Sequence, residues 1–293
     1  MSQAKIKVLV LGASGMLGHM VLRVLRCSRM LQVDGTSLSS SNKFFLDVLK
    51  SSTQLKRIIR NYGPYDYIIN CIGITKNGID ERDPVSVRRA MKINAGFPSI
   101  LSRMALKFGC CVIQISTDGV FKNTAGICFE STHPDAGDIY GLSKRKGEIS
   151  ARNFLNIRCS IIGPSPYEKG GLYEWFVSQP EHSRVSGFKN QQWSGVTTVQ
   201  FALLCRAIIE KEAFGKLRVH SSVYHFAPNK PVSKYVLLTL LQQYLKKKVV
   251  VVSVRNESTP VNRILKTRYA FFRKLYPHNI LMMKAIKQLV EFK

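Results

Sequence analysis

The segment that most narrows what this chain can fold into lies near its start. Residues 5–11 (Lys-Ile-Lys-Val-Leu-Val-Leu) form an apolar run. Gly12-Ala13-Ser14-Gly15-Met16-Leu17-Gly18 follows at once, and then Met20-Val21-Leu22 and Val24-Leu25 at helical spacing. A buried strand, a glycine-rich turn and an amphipathic helix, in that order, open a strand–helix–strand unit. Further strands are expected at 31–35, at 66–72 before Gly73, and at 110–115 (Cys-Cys-Val-Ile-Gln-Ile). Residues 84–108 read as a helix that begins with Pro84 after Asp83 and stops at Phe108-Gly109. Repeated units of this kind imply a parallel sheet with helices on both faces.

The expected fold class is therefore α/β, a doubly wound (Rossmann) parallel sheet. After about residue 160 the pattern loosens at Gly163-Pro164-Ser165-Pro166 and a flexible Lys169-Gly170-Gly171. Helices are expected at 172–179, 198–212 and 233–247, and strands at 184–188, 222–227 and 248–254. This portion reads as a smaller α+β lobe. The expected division is 1–162 for the sheet domain and 163–293 for the lobe, with parts of the chain crossing back. Ligands of such sheets sit beyond the carboxyl ends of the strands, where the lobe would close over them.

Composition excludes other classes. With 45% hydrophobic and 21% charged residues, the chain is neither disordered nor a disulfide scaffold. No apolar run approaches the roughly 18–20 residues of a membrane helix. Lys plus Arg is 44 against 18 Asp plus Glu, a net charge of +26. Such a surface attracts anions, yet no nucleic-acid-binding motif accompanies it, so nucleic acid is not the expected partner. The seven cysteines form no Cys-x-x-Cys pair and scatter through apolar segments. They suit reduced thiols in a cytoplasmic setting. No cluster of His, Cys and carboxylates has metal-ligand spacing.

The chemistry-bearing residues lie at the expected strand ends. Backbone N–H groups of Gly12, Ser14, Gly15, Met16, Leu17 and Gly18, at a helix N-terminus, suit a pyrophosphate. After the second strand, Asp34 would hold the ribose hydroxyls of NAD(H), whereas Thr36 and Ser37 would accommodate the 2′-phosphate of NADP(H); the reading leans to NADP(H). Asp47 is placed to accept from an adenine amino group or to cap the next helix. Cys71, Ile72 and Gly73 are small enough for the backbone to pass close to a cofactor ring. Ser116-Thr117-Asp118 ends another strand, and Tyr140-Gly141-Leu142-Ser143-Lys144 opens a helix. Addition of hydride to a ketone builds negative charge on oxygen. A hydroxyl, Thr117 or Ser116, must point at it and an acid must protonate it. A free Tyr titrates near 10; Lys144, one turn from Tyr140 on the same face, would favour the phenolate by its charge and hold ribose hydroxyls. Tyr244 and Lys248 share the spacing without the company, and Tyr244 reads as surface or packing.

This constellation resembles the extended short-chain dehydrogenase/reductase superfamily, and within it the dTDP-4-dehydrorhamnose reductase branch. The residues that carry the resemblance are Gly12–Gly18, Asn70–Gly73, Asn94, Ser116-Thr117-Asp118-Gly119-Val120-Phe121, and Tyr140–Lys144 followed by Gly147-Glu148, over roughly residues 5–245. The resemblance implies NAD(P)H-dependent reduction of the C4 ketone of a nucleotide-linked 4-keto-6-deoxy sugar, for surface polysaccharides, with Thr117 as catalytic hydroxyl, Tyr140 as acid and Lys144 as helper. It further implies a nucleotide-sugar contact for Asp118, stacking by Trp193, and diphosphate contacts for Lys76 and Arg263. Arg158–Pro164, Gln192–Thr198 and Tyr224–Ala227 look like family segments near the nicotinamide and substrate. Gly119 and Asn262 depart from the usual residues of the branch. The branch also contains the regulatory beta subunit of methionine adenosyltransferase, and the superfamily contains epimerases and dehydratases, so a non-catalytic binding protein and an epimerase stand as alternatives. A homodimer is compatible with the chain.

Overall fold

The structure is a computed structural model that describes residues 4–39, 43–50, 52–166, 170–255, 257–258 and 260–292. The strands of the central sheet, in chain order, are β1 (Ile6–Leu11), β2 (Leu31–Gly35), β3 (Tyr67–Asn70), β4 (Cys111–Thr117), β5 (Phe154–Cys159) and β6 (Val223–His225). Their spatial order is β6-β5-β4-β3-β1-β2, and every pairing is parallel. The chain leaves β1 toward β2 and returns to place β3 on the other side of β1. That reversal opens the crevice in which doubly wound sheets bind ligands.

Period-two side chains send the two faces of the sheet into separate cores. On one face Val8, Val10, Ile69, Ile113 and Ile157 pack with Val21, Val24 and Leu25 of the first helix, Met16–Arg26, and with the helix Thr198–Glu210. On the other, Leu9, Leu11, Ile68 and Val112 meet Leu55, Ile58, Ile59, Phe97 and Leu101. Each fully buried side chain of this size contributes about 1.5–3 kcal/mol.

The helix expected over 84–108 is not one α-helix. It runs Pro84–Met91, widens to a π turn at Lys92–Gly96, and resumes as Phe97–Lys107. Pro98 explains the break: it has no N–H to give to the carbonyl four residues back, and its ring crowds that carbonyl. The carbonyl belongs to Asn94.

In the lobe, Arg184–Phe188 pairs in parallel with Val250–Val254, and Gln192–Trp193 pairs antiparallel with Val232–Ser233. The helices Lys234–Tyr244 and Met282–Glu291 complete a separate apolar cluster around Leu237, Leu241 and Ile286. The helix Thr198–Glu210 packs on the first helix and β6 extends the sheet, so residues 222–227 do not belong to the lobe as the sequence pattern had placed them. Arg263–Leu265 pairs with Gly126–Cys128 just outside β4. Of the expected flexible Lys169-Gly170-Gly171, Lys169 lies outside the described residues.

Candidate active site

The residues just beyond the carboxyl ends of β1 to β5 line one cavity of about 920 Å³. At one end the turn after β1 is shaped by close contacts. Gly12 has φ +74°, and a Cβ there would meet the Ile72 side chain at 2.9 Å. At Gly18 a Cβ would come 2.0 Å from the Gly12 carbonyl oxygen. Gly18 itself does not line the cavity; it lets the first helix approach the turn. Gly15 caps that helix without a side-chain hydrogen bond, and no acidic residue occupies the first turn. The helix N-terminus is left as an anion site, and Gly12, Ser14, Gly15, Met16 and Leu17 line the cavity around it. This cradle fits a dinucleotide pyrophosphate.

Beyond β2, Thr36, Ser37 and Leu38 line the cavity. The Thr36 hydroxyl accepts from the Gly12 N–H at 3.0 Å, so it braces the turn. Asp34 is absent from the lining, and its carboxylate accepts from the Tyr65 hydroxyl at 2.8 Å. The acidic side chain that would hold both ribose hydroxyls is therefore engaged elsewhere. Asp47 lines the cavity with Leu46, Val48 and Leu49, and also accepts from the Leu49 N–H at 3.0 Å.

Cys71, Ile72 and Gly73 border the middle of the cavity, and the loop after them is tied to the π turn. The Asn94 side chain accepts from the Ile74 N–H (2.9 Å), donates to the Ile74 carbonyl (3.0 Å) and donates to Ser143 (3.1 Å).

Thr117, Tyr140 and Lys144 come together at the floor. Tyr140 stands in the first turn of the helix Ile139–Lys146. Asp138 caps that helix through the Gly141 N–H (2.7 Å), and Glu81 accepts from the Ile139 N–H (2.9 Å). The Thr117 hydroxyl accepts from the Gly119 N–H at 3.0 Å and is hydrogen-bonded to Tyr140. A Cβ at Gly119 would lie 2.9 Å from the Tyr140 ring and 3.2 Å from Thr117 Oγ1, so a side chain there would displace the phenol. Lys144 is buried and donates to the Ile115 carbonyl at 2.8 Å.

The electrostatics differ from the expectation. Burial pushes the Tyr140 phenol up to about 12; the hydrogen bond with Thr117, whose hydroxyl also reaches Asp118 Oδ1 at 3.3 Å, only partly offsets this. Burial pushes Lys144 down to about 8, against the raising influence of Glu148. Phenolate is thus not the favoured form. At neutral pH the site presents a protonated phenol beside an ammonium close to its titration range, and such a pair can deliver a proton.

The remaining expected site residues have these partners. Ser116 lines the cavity, but its hydroxyl donates to Glu148 Oε1 at 2.6 Å and is spent there. Trp193 lies outside the lining; its indole N–H donates to Ser160 at 2.8 Å. Lys76 and Arg263 line the cavity with their charges engaged. Lys76 pairs with Asp138 at 2.6 Å. Arg263 pairs with Asp118 at 3.0 Å and also donates to the Phe121 carbonyl and to Asn123. Arg89 and Lys122, which sequence reasoning did not single out, also line the cavity. Glu148, Arg158 and His225, which each lie in segments of the family resemblance, form a buried chain beside β4 that spacing along the sequence does not reveal. Among the described residues no group of His, Cys, Asp and Glu could hold a metal ion, and no helix is long and apolar enough to cross a membrane.

A parallel doubly wound sheet, a glycine turn at its switch point and a Tyr/Lys/Thr floor define the extended short-chain dehydrogenase/reductase class. More narrowly, the chain belongs to the family described as the RmlD substrate binding domain, whose family model matches residues 6–269. The chain is similar to a dTDP-4-dehydrorhamnose reductase of Streptomyces griseus, 28% identical over 148 residues, which cover 50% of this chain and 45% of that enzyme. It thus spans less than half the length of that relative. Methionine adenosyltransferase 2 subunit beta of Rattus norvegicus is 28% identical over 237 residues, 78% of this chain and 69% of that protein. Among solved structures, a dTDP-4-dehydrorhamnose reductase from Clostridium acetobutylicum superposes with a TM-score of 0.76 at 19% identity, covering 98% of this chain and 99% of that one. The Bacillus anthracis enzyme, in complex with NADP, gives 0.73 at 20%, covering 99% and 100%.

Proposed function

We propose that this protein is an NADP(H)-dependent reductase of the C4 ketone of a nucleoside-diphosphate 4-keto-6-deoxy sugar, serving the synthesis of surface glycans. The observation that carries the reading is the meeting of Thr117, Tyr140 and Lys144 in the cavity that also receives the Gly12 turn. Residues 1–162 would hold the cofactor and 163–293 would close over the sugar, apart from the segments that cross back to the sheet. Gly12 to Leu17 would hold the pyrophosphate, Thr36 and Ser37 the side of the 2′-phosphate, and Asp47 the adenine. Lys144 would hold ribose hydroxyls. The engagement of Asp34 with Tyr65 supports NADP(H) over NAD(H).

A bound NADPH supplies the hydride. Thr117 directs the substrate carbonyl toward Tyr140, and Tyr140 gives its proton to the oxygen as charge develops there. Lys144, one turn away, stabilises the phenolate that remains. Asp118 and Arg263, locked to each other, shape the sugar end of the cavity.

A second reading, a non-catalytic regulatory subunit, is favoured by the pairing of Arg263 with Asp118, which occupies one of the two cations expected to meet a diphosphate. The similarity to methionine adenosyltransferase beta subunits also supports it. NADPH oxidation measured across a panel of nucleotide-linked 4-keto-6-deoxy sugars separates the two. Turnover with at least one sugar, lost by about 100-fold or more in Tyr140→Phe with NADPH affinity unchanged within a few-fold, is the expected result. Tight NADPH binding with no turnover on any sugar would replace the reductase with the regulatory subunit.

A further inference from the structure

A buried polar row runs across β4, β5 and β6 from Ser116, which borders the cavity. Ser116, Arg158 and His225 occupy one register line across β4, β5 and β6. Glu148 comes four residues after Lys144 and turns its carboxylate into that row. Arg158 takes both oxygens, Nε to Oε1 and Nη2 to Oε2, each at 2.7 Å, and Ser116 donates to Oε1 at 2.6 Å. The two charged side chains are only 5% and 6% exposed. Arg158 Nη1 lies 3.3 Å from His225 Nε2, and its guanidinium stacks over the Phe121 ring at 5.2 Å. His225 Nδ1 faces the Cys128 and Lys266 carbonyls at 3.1 Å.

We propose that the Glu148–Arg158 pair is a positioning unit for Lys144: by holding both carboxylate oxygens, Arg158 keeps Glu148 from closing onto the ammonium, which stays on the Ile115 carbonyl and at the disposal of Tyr140. Two opposing needs explain the arrangement. An unpaired carboxylate just past the end of the Lys144 helix, close enough to raise the ammonium's affinity for its proton, would seize it in a direct ion pair and draw it away from the phenol. With no carboxylate nearby, a buried ammonium would lose its proton. A carboxylate shared with a second cation meets both needs. The other groups facing Lys144 carry no charge that competes. Tyr140 is a protonated phenol, and burial pushes the thiols of Cys71 on the β3 end and Cys159 on the β5 end up, which keeps them neutral.

The arrangement predicts shifts of opposed sign and, beyond what the loss of either charge alone would give, a change of contact: in Arg158→Met, Lys144 Nζ should leave the Ile115 carbonyl for Glu148, which a crystal structure of that variant reads directly. Arg158→Met frees the carboxylate for Lys144 and moves the ammonium's titration midpoint up. Glu148→Gln removes the carboxylate, leaves Arg158 unpaired, and moves the midpoint down. Each shift is expected to be about one pH unit or more, the size that a charge brought into or out of contact produces. The measurement is a pH titration of the full chain labelled with 13C at lysine Cε, with the Lys144 resonance assigned by its absence in Lys144→Arg. The bearing on catalysis rests on the reductase reading, but the titration needs neither cofactor nor substrate, so the two fail separately. Shifts of opposite sign together with Lys144 on Glu148 in Arg158→Met support the proposal. Shifts of the same sign, none, or a Lys144 still on the Ile115 carbonyl in Arg158→Met overturn it. If neither single variant folds, the uncharged pair Glu148→Gln with Arg158→Met carries the test. A midpoint below that of the wild-type chain supports the proposal, and an unchanged one overturns it.

Discussion

A lysine buried without a carboxylate in direct contact is costly, and Lys144 shows where the proposed site departs from what stability alone would select. Its pKa of about 8 lies below the 10.5 of an exposed lysine. At neutral pH that difference amounts to about 3 kcal/mol against folding. Below pH 8 both folded and unfolded chains hold the proton and the whole cost stands. Between 8 and 10.5 the unfolded chain holds a proton that the folded chain has released, so stability rises with pH across that window. Denaturant unfolding should find Lys144→Met more stable than the wild-type chain at pH 7, by about 1–3 kcal/mol, with the gap closing as pH climbs from 8 to 10.5. Because the ammonium serves catalysis in the proposed reaction, kcat/KM should fall on the alkaline side of about pH 8. Tyr244 supplies the control. It ends the helix Lys234–Tyr244, packs on the lobe's apolar cluster and is absent from the cavity lining. Tyr244→Phe should leave turnover unchanged within about two-fold in the same assay, since no reacting group is touched.

At the scale of elements, the site depends on how closely two helices approach the sheet edge. The first helix needs Gly18, because a Cβ there would strike the Gly12 carbonyl oxygen at 2.0 Å. Backbone atoms at a tight turn cannot yield as a flexible side chain can. Gly18→Ala should therefore lift the helix off the turn, costing about 1–3 kcal/mol as overpacking. NADPH affinity by fluorescence titration should drop about ten-fold or more, through the lost approach of N–H groups to phosphate. The helix Ile139–Lys146 is held by its cap. Asp138→Ala removes the carboxylate that receives both the Gly141 N–H and Lys76, at about 0.5–2 kcal/mol. Thermal unfolding should register that loss, and kcat should fall with it because Tyr140 lies two residues into the helix. Glycine spacing and the strand–turn–helix order were readable in the chain because they are local. The π turn was readable only in part: Pro98 inside a helical pattern announces a break, but not that the helix widens and continues, nor that Asn94 reaches Ile74 and Ser143.

For the molecule as a whole, the net charge of +26 bears on how ligands arrive rather than on the fold. An anionic nucleotide approaching such a surface is steered by a field that salt screens. Between about 0.01 M and 0.15 M ionic strength the screening length shrinks from about 30 to about 8 Å. Stopped-flow association of NADPH should slow several-fold over that range, with dissociation changing less. A rate indifferent to salt would mean that the basic residues face away from the cavity mouth.

Local order along the chain determined the parallel sheet, the glycine turn after β1 and the placing of Thr117 at a strand end and of Tyr140 and Lys144 one turn apart, because each follows from spacing within a strand, a turn or a helix. Only the tertiary structure decided which charges remain free. Asp34 went to Tyr65, Lys76 to Asp138, Arg263 to Asp118, and Glu148 to Arg158, pairings that span from 10 to 145 residues of chain. Trp193 turned to Ser160 for the same reason. A buried polar group takes whichever partner the packed fold brings within reach, and spacing along the chain does not encode that proximity.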